Sequence, residues 1–204
     1  GRMIISALLF LYALALVIFD NPIHIRYLHA VNLALFVGYI SIKIFNGNLA
    51  FRIGSTPLIY SALALYGGMS LAWASHPELG AVSAKTMFLV ALNITVIYNI
   101  IIDIKSVEPI FAGVLLGVFL NFLISLNLVN TGWDPLEGWR FQGTTAKSNV
   151  LANICIFSVV CALYFFDKAD YKQRAFGIIG LLTSMYVIFL TASKKGLVGA
   201  VLII

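Results

Sequence analysis

Charged side chains are the scarcest feature of this sequence of 204 residues, of which only 10% are Asp, Glu, Lys or Arg. In an ordinary soluble domain about a quarter of the residues are charged. Hydrophobic residues make up 61% of the chain, and a soluble fold could not hide so much apolar surface. The composition therefore excludes a soluble domain and indicates that the lipid bilayer is the solvent.

The sequence also lacks the patterns of several common functional sites. Its 13 Lys and Arg exceed its 8 Asp and Glu, but the cations lie mostly singly between apolar runs, which excludes a nucleic-acid patch. No metal-ligand cluster, phosphate-loop glycine pattern or nucleophile elbow occurs in it. Cys155 and Cys161 lie six positions apart in one apolar run, so on a helix they point in different directions and pack as small residues without a disulfide. We expect no cofactor and no metal ion.

What the chain has in abundance is apolar runs of the length that a helix needs to cross the hydrocarbon core, about 17 to 25 residues. Pro, Gly, Asn and charged residues separate them. Helices satisfy their own backbone in lipid, and the runs are too long and too uniformly apolar for barrel strands. We therefore predict an all-α, polytopic transmembrane helical bundle with seven full spans and a truncated eighth. The spans are residues 3–19, 27–45, 57–73, 84–102, 109–128, 149–166 and 176–191, and the eighth is 196–204.

We predict one transmembrane domain, residues 1–204, whose longest extramembrane loop is 129–148. At about 1.5 Å per residue the last run covers only half of the bilayer core, so we expect the domain to be incomplete at its C-terminus. A cytoplasmic N-terminus, which we take as the working orientation, puts seven cations on the cytoplasmic side and six on the other. That difference is too small for the positive-inside rule to decide. Four of the six lie in two loops: Arg140, Lys147, Lys194 and Lys195.

Two polar junctions carry these four cations, residues 138–149 and 190–196. Each places positive charge and hydroxyl donors at one membrane interface, and helix starts at Asn149 and Gly196 add partial positive charge. A lipid-linked phosphate or diphosphate lies at that depth and would bind Arg as a fork and Lys as a point charge. The competing interpretation is that the cations only snorkel to headgroups and that Trp133 and Trp139 form an interfacial belt.

The first junction resembles the Arg-Phe-x-Gly-Thr-x-x-x-Pro-Asn signature of the O-antigen ligase and O-antigen polymerase family, bacterial membrane glycosyltransferases that act on polyprenyl-diphosphate glycans. Ser148 stands where that family has proline. The matching residues are Arg140, Phe141, Gly143, Thr144 and Asn149.

The second junction resembles the same family's Thr-Gly-Ser-Arg-Gly element, which opens the next span. Thr191 and Ser193 match, Ala192 replaces glycine, and Lys194-Lys195-Gly196 stands in place of Arg-Gly. The order of the two elements and the two spans between them also follow the family, so the resemblance covers roughly the second half of the chain.

The resemblance implies a metal-independent, inverting glycosyltransferase of the bacterial inner membrane. It would transfer a glycan from an undecaprenyl-diphosphate carrier to a lipid or glycan acceptor during surface polysaccharide assembly. Arg140, Ser193, and Lys194 or Lys195 would bind the donor diphosphate. By the same resemblance, the family's second arginine and its histidine would belong to a loop beyond residue 204, so the catalytic residues are unknown.

Other interpretations stay open beside this one. The chain is alternatively a small secondary transporter, for which Gly67-Gly68 is the nearest candidate for a broken helix, or a non-catalytic accessory membrane protein. A family member that binds lipid but no longer catalyses is a third, since the Lys-for-Arg replacement keeps the charge and loses the fork. The three histidines, His24, His29 and His76, belong to no recognisable motif.

Overall fold

A computed structural model of the chain describes residues 2–18, 25–47, 52, 54–74, 77–101, 104–127, 133–134, 140–145 and 148–203. Within these residues the backbone forms eight α-helices, one short 3-10 helix (Ile104–Val107) and one antiparallel ladder of two strands. The helices are α1 (Arg2–Ile18), α2 (Ile25–Phe45), α3 (Ser55–Ser70), α4 (Pro77–Ile100), α5 (Glu108–Asn127), α6 (Ser148–Phe166), α7 (Tyr171–Leu190) and α8 (Lys194–Ile203); the strands are β1 (Trp133–Asp134) and β2 (Arg140–Phe141).

The predicted all-α architecture is confirmed for the described residues, with the two-residue ladder inside the loop 129–148 as an addition. Among the described residues, four helical segments are long and apolar enough to cross a membrane: Ser83–Ile100, Lys105–Leu126, Ser148–Phe166 and Tyr171–Leu190. The apolar stretches of α1 and α2, Met3–Ile18 and Leu33–Phe45, are shorter. The chain thus has at least four helices of the kind expected in a membrane protein.

The helices group into two compact units. In the first, Gly1–Leu8 with His29–Val107, α3 packs along α4. The end of α4 is closed by Arg52, whose Nη2 donates to the carbonyl oxygens of Tyr98 at 2.6 Å and Ile101 at 2.8 Å. Since the last carbonyls of a helix have no helical partner, Arg52 serves as a C-terminal cap.

The second unit, Leu9–Leu28 with Glu108–Ile204, is built around α6, which packs against α5, α7 and α8. Its core is fully buried and apolar, and Cys155 and Cys161 lie within it as free thiols, as predicted. Glycines bring neighbouring helices close. A Cβ at Gly113 of α5 would lie 2.5 Å from the carbonyl oxygen of Phe10 in α1, and one at Gly177 of α7 would lie 2.7 Å from the carbonyl oxygen of Ala162 in α6. Small residues allow this approach in membrane bundles.

One buried hydrogen bond joins α6 to α7 in the middle of this core. The hydroxyl oxygens of Ser158 and Ser184 lie 2.7 Å apart, and both side chains are fully buried. Ser184 Oγ donates its single hydrogen to the carbonyl oxygen of Gly180 at 2.7 Å, so Ser158 is the donor between the two serines.

Candidate functional site

The first predicted motif begins on strand β2, where Arg140 pairs with Asp134 and Phe141 with Trp133 of β1. The side chain of Arg140 lies outside the described residues. Phe141 is fully buried, and its ring lies 6.2 Å, edge to face, from that of Phe122 in α5. Phe141 therefore anchors the strand in the core of the second unit.

A tight turn follows β2 and carries the glycine and threonine of the motif. The carbonyl oxygen of Gln142 accepts hydrogen bonds from Thr145, from its N–H at 3.2 Å and its Oγ1 at 2.6 Å. Gly143 has φ +63°, the left-handed region that costs an L-residue about 1–2 kcal/mol. A Cβ at Gly143 would also collide with Asn121 Oδ1. Glycine is thus required here by the fold.

Asn121 of α5 is the hydrogen-bonding centre of this region. Its side chain is fully buried, and its Nδ2 donates to the carbonyl oxygen of Val17 at 3.2 Å and to Thr144 Oγ1 at 2.7 Å. Its Oδ1 accepts from the N–H of Thr144 at 3.1 Å. Thr144 Oγ1 in turn donates to the carbonyl oxygen of Ile18 at 2.9 Å. One asparagine of α5 therefore ties the turn to the end of α1.

The second predicted motif forms the junction between α7 and α8. Thr191 is buried and its Oγ1 donates to the carbonyl oxygen of Ile188 at 2.7 Å. Ala192 has φ 49°, the only positive φ of a non-glycine residue in the described chain. Ser193 is the N-cap of α8, since its Oγ accepts the N–H of Gly196 at 3.2 Å. The helix therefore begins at Lys194, two residues before the predicted span at 196.

Lys194 and Lys195 lie in the first turn of α8, and both side chains are exposed. That turn contains no acidic residue, and the N-terminus of a helix carries about half a positive charge. Two cations at this position oppose the helix dipole. The junction is therefore a region of positive potential that a bound anion would stabilise.

The two motifs lie at the same end of the second unit. A Cβ at Gly196 would lie 3.1 Å from Cβ of Ala152, and one at Gly199 would lie 3.0 Å from Cδ1 of Ile156. Because the residue numbers of the contacting positions increase together in the two helices, α6 and α8 run parallel, and they start at about the same level. Phe141 of β2 contacts the ring of Phe122, which in turn contacts that of Tyr186 near the end of α7. The backbone of Arg140, the start of α6 and the start of α8 therefore share one end.

The opposite end of α6 holds a second polar cluster that no sequence pattern indicated. Glu108 Oε1, at the start of α5, accepts from Lys168 Nζ at 2.6 Å and from Tyr164 Oη at 2.7 Å. Lys168 Nζ also lies 2.7 Å from Tyr164 Oη. The hydrogen bond to Glu108, with a smaller one to Tyr164, raises the pKa of Lys168 above its usual value. This cation is neutralised by the chain itself.

Several other polar and aromatic residues lie away from these two motifs or outside the described part of the chain. Asn149 is exposed as the second residue of α6, and Asn153 is exposed one turn later. Asn93 of α4 is buried, and its Oδ1 has no hydrogen-bond partner in the described chain. Lys147, Glu137, Trp139, His24 and His76, with the side chains of Trp133, Asp134 and His29, lie outside the described residues.

Asn121 belongs to neither motif, and its hydrogen bond to the carbonyl of Val17 in α1 is of the kind expected for a buried amide between helices. Its signal in the sequence is a single amide inside the long apolar run of α5, and amides in such positions bond between helices. What that signal lacks is the identity of the partner.

No protein-family model, curated protein or solved structure matches this chain.

Proposed function

We propose that this protein is a transmembrane glycosyltransferase of the O-antigen ligase and polymerase kind. It transfers a glycan from an undecaprenyl-diphosphate carrier to a lipid or glycan acceptor at the bacterial inner membrane. The proposal includes seven full spans, a shorter eighth helix and a cytoplasmic N-terminus. It is supported by one observation above all: the exposed pair Lys194 and Lys195 starts α8 at the same end as the motif that contains Arg140.

The packing divides the motif residues into two groups. Phe141, Gly143 and Thr144 have structural roles, because they fill the core or close the turn on Asn121. Diphosphate binding is then the task of Arg140, Lys194 and Lys195, with Ser193 fixing the start of α8.

The proposed mechanism is electrostatic. Negative charge grows on the polyprenyl diphosphate as the glycosidic bond breaks, and cations fixed before the reaction stabilise that charge. Arg140 would bind two phosphate oxygens as a fork, whereas each lysine acts as a point charge that the dipole of α8 reinforces. The general base for the acceptor hydroxyl is not among the residues assigned here.

The test is transfer in a host that lacks its own enzyme. Arg140→Ala and Lys194→Ala should each lower kcat/KM by about 10- to 100-fold, the usual cost of losing a charge-assisted hydrogen bond. Lys194→Arg should retain transfer, since it keeps the charge and supplies a fork. Lys172→Ala, an exposed cation at the start of α7, is the matched control. Unchanged transfer in both alanine variants would remove the diphosphate-binding assignment.

The competing function, a small secondary transporter, draws support from Asn93. A buried amide oxygen without a partner inside a helix of membrane-crossing length is costly in hydrocarbon, and polar groups in such positions line transport pathways. Solute uptake into vesicles that is lost in Asn93→Leu, together with normal surface polysaccharide in cells carrying Arg140→Ala, would favour transport.

A further inference from the structure

The turn formed by residues 142–145 is held by bonds to segments far away in the chain. Asn121 lies 23 residues before Thr144, and the carbonyl of Ile18 lies 126 residues before it. Thr144 uses its N–H and its hydroxyl in these bonds, as acceptor from Asn121 and as donor to Ile18. The position of the turn therefore depends on α1 and α5 rather than on its neighbours in sequence.

The same bonds close the end of α1. The last carbonyl groups of a helix have no partner within it, and an unpaired carbonyl is costly next to hydrocarbon. Val17 accepts from Asn121 Nδ2, and Ile18 accepts from Thr144 Oγ1. Removing either side chain would leave polar groups of two segments without their partners: Val17 and Thr144 if Asn121 is lost, and Ile18 and Asn121 if the Thr144 hydroxyl is lost.

The turn lies between the two cations of the first motif. Arg140 precedes Gly143 by three residues, and Lys147 follows Thr144 by three residues. Because the backbone of Arg140 is only three residues from the fixed Gly143, displacement of the turn also displaces Arg140. The glycine of the motif is also explained by Asn121, since a Cβ at position 143 would meet Asn121 Oδ1.

We propose that Asn121 is a positioning residue: with Thr144 it latches residues 140–145 onto α5 and the end of α1, and so fixes the backbone that carries Arg140, the residue assigned to the donor diphosphate. Only the second part of this inference, the positioning of Arg140 for the diphosphate, rests on the proposed function. The latch itself is a property of the fold and has its own measurement.

The structural half is tested by trypsin, which cleaves after Arg140 and Lys147, on the full chain in detergent micelles. Thr144→Val removes the hydroxyl at nearly constant volume, and Thr144→Ser keeps it. We expect cleavage at these two bonds to be at least about ten-fold faster in the valine variant, because local opening follows the loss of buried hydrogen bonds. Cleavage after Lys168 and Arg174, at the other end of α6, is the internal reference. Equal rates in the valine and serine variants would overturn the latch.

Two further variants separate the latch from general loss of stability. Ser158→Ala removes a buried hydrogen bond between α6 and α7 without touching the turn, and it should leave cleavage at the two bonds unchanged. Asn121→Leu is nearly equal in volume and removes all the hydrogen bonds of the amide, and it should behave like Thr144→Val. It also replaces that variant if the valine chain does not fold. Faster cleavage at the two bonds in Ser158→Ala to the same degree would contradict the proposal.

The positioning half is tested by transfer kinetics. Thr144→Val should lower kcat/KM at least about ten-fold relative to Thr144→Ser, while Ser158→Ala stays near the wild type. Accelerated cleavage with undiminished transfer would show that the latch does not position the donor site. The trypsin rates decide the latch independently of transfer, so a failure of the proposed function is distinguishable from a failure of the latch.

Discussion

The two ends of α6 differ in how the charged side chains near them are paired. Where α6 ends, Glu108, Tyr164 and Lys168 bond to one another within 2.6–2.7 Å, so a cation is paired inside the protein. Where α6 begins, the internal bonds belong to uncharged groups such as those of Asn121, while Lys194 is exposed on α8. We call the end with the paired Lys168 the closed end, although Lys172 and Arg174 of α7 are exposed near it, and the end with the exposed Lys194 and Lys195 the open end. A site for an anionic substrate is expected at the open end.

The largest expected effect comes from adding a single methyl group at the open end. Gly143→Ala combines a left-handed backbone, which costs about 1–2 kcal/mol, with a collision that displaces Asn121 and leaves its partners unpaired, about 1–3 kcal/mol more. We expect the free energy of unfolding in micelles to fall by about 3 kcal/mol. Gly47→Ala is the matched control, because Gly47 has φ +64° but no atom within 4 Å of the added Cβ. An equal loss in both variants would show that contact with Asn121 contributes nothing.

A smaller effect of opposite sign is expected at the junction of α7 and α8. Ala192 has φ 49°, so Ala192→Gly should relieve left-handed strain and raise stability by about 0.5–1 kcal/mol after the entropy of glycine in the unfolded chain is subtracted. The measurement is the unfolding free energy in micelles. Ala72→Gly, exposed in the turn after α3, should not stabilise. A destabilising Ala192→Gly would contradict the strain at this junction.

The smallest effect is expected at the closed end, where it depends on pH. The hydrogen bond to Glu108 raises the pKa of Lys168, so the pair stabilises the fold fully below the lysine's unfolded pKa, about 10.4. That contribution is lost as the pH rises through the higher pKa of the folded state. Glu108→Gln should therefore be less stable than the wild type near pH 8, and the difference should shrink toward pH 12. Tyr164→Phe, which keeps the carboxylate, should show a smaller difference. Curves of Tm against pH that stay parallel would contradict the pairing.

Hydropathy predicted the bounds of two helices of the second unit closely, because in both the apolar run has the same length as the helix. The predicted spans 109–128 and 149–166 match α5, Glu108–Asn127, and α6, Ser148–Phe166, within one residue at each end. The span at 176–191 began too late, because α7 starts at Tyr171 with Asp170 as its N-cap. Hydropathy marks where a helix enters hydrocarbon, whereas capping marks where it begins.

The candidate site was predicted in part. The two motifs identified the polar junctions, and the positions of Lys194 and Lys195 on α8 follow from the N-cap at Ser193. The structural role of Gly143 and Thr144 could not be inferred, because it depends on Asn121 and on the end of α1. A pattern read along the chain contains no information on which distant carbonyl will lie opposite a given hydroxyl.

The sequence by itself determined that this chain is helical and apolar enough for membrane-crossing segments, and where polar junctions interrupt the apolar runs. Both follow from local properties, the transfer of side chains into hydrocarbon and the hydrogen bonding of the helix backbone. Only the tertiary structure decided that Phe141 and Thr144 serve the fold while Lys194 faces outward. The physical reason is that a buried polar group is stabilised by its partner, and here those partners lie up to 126 residues away.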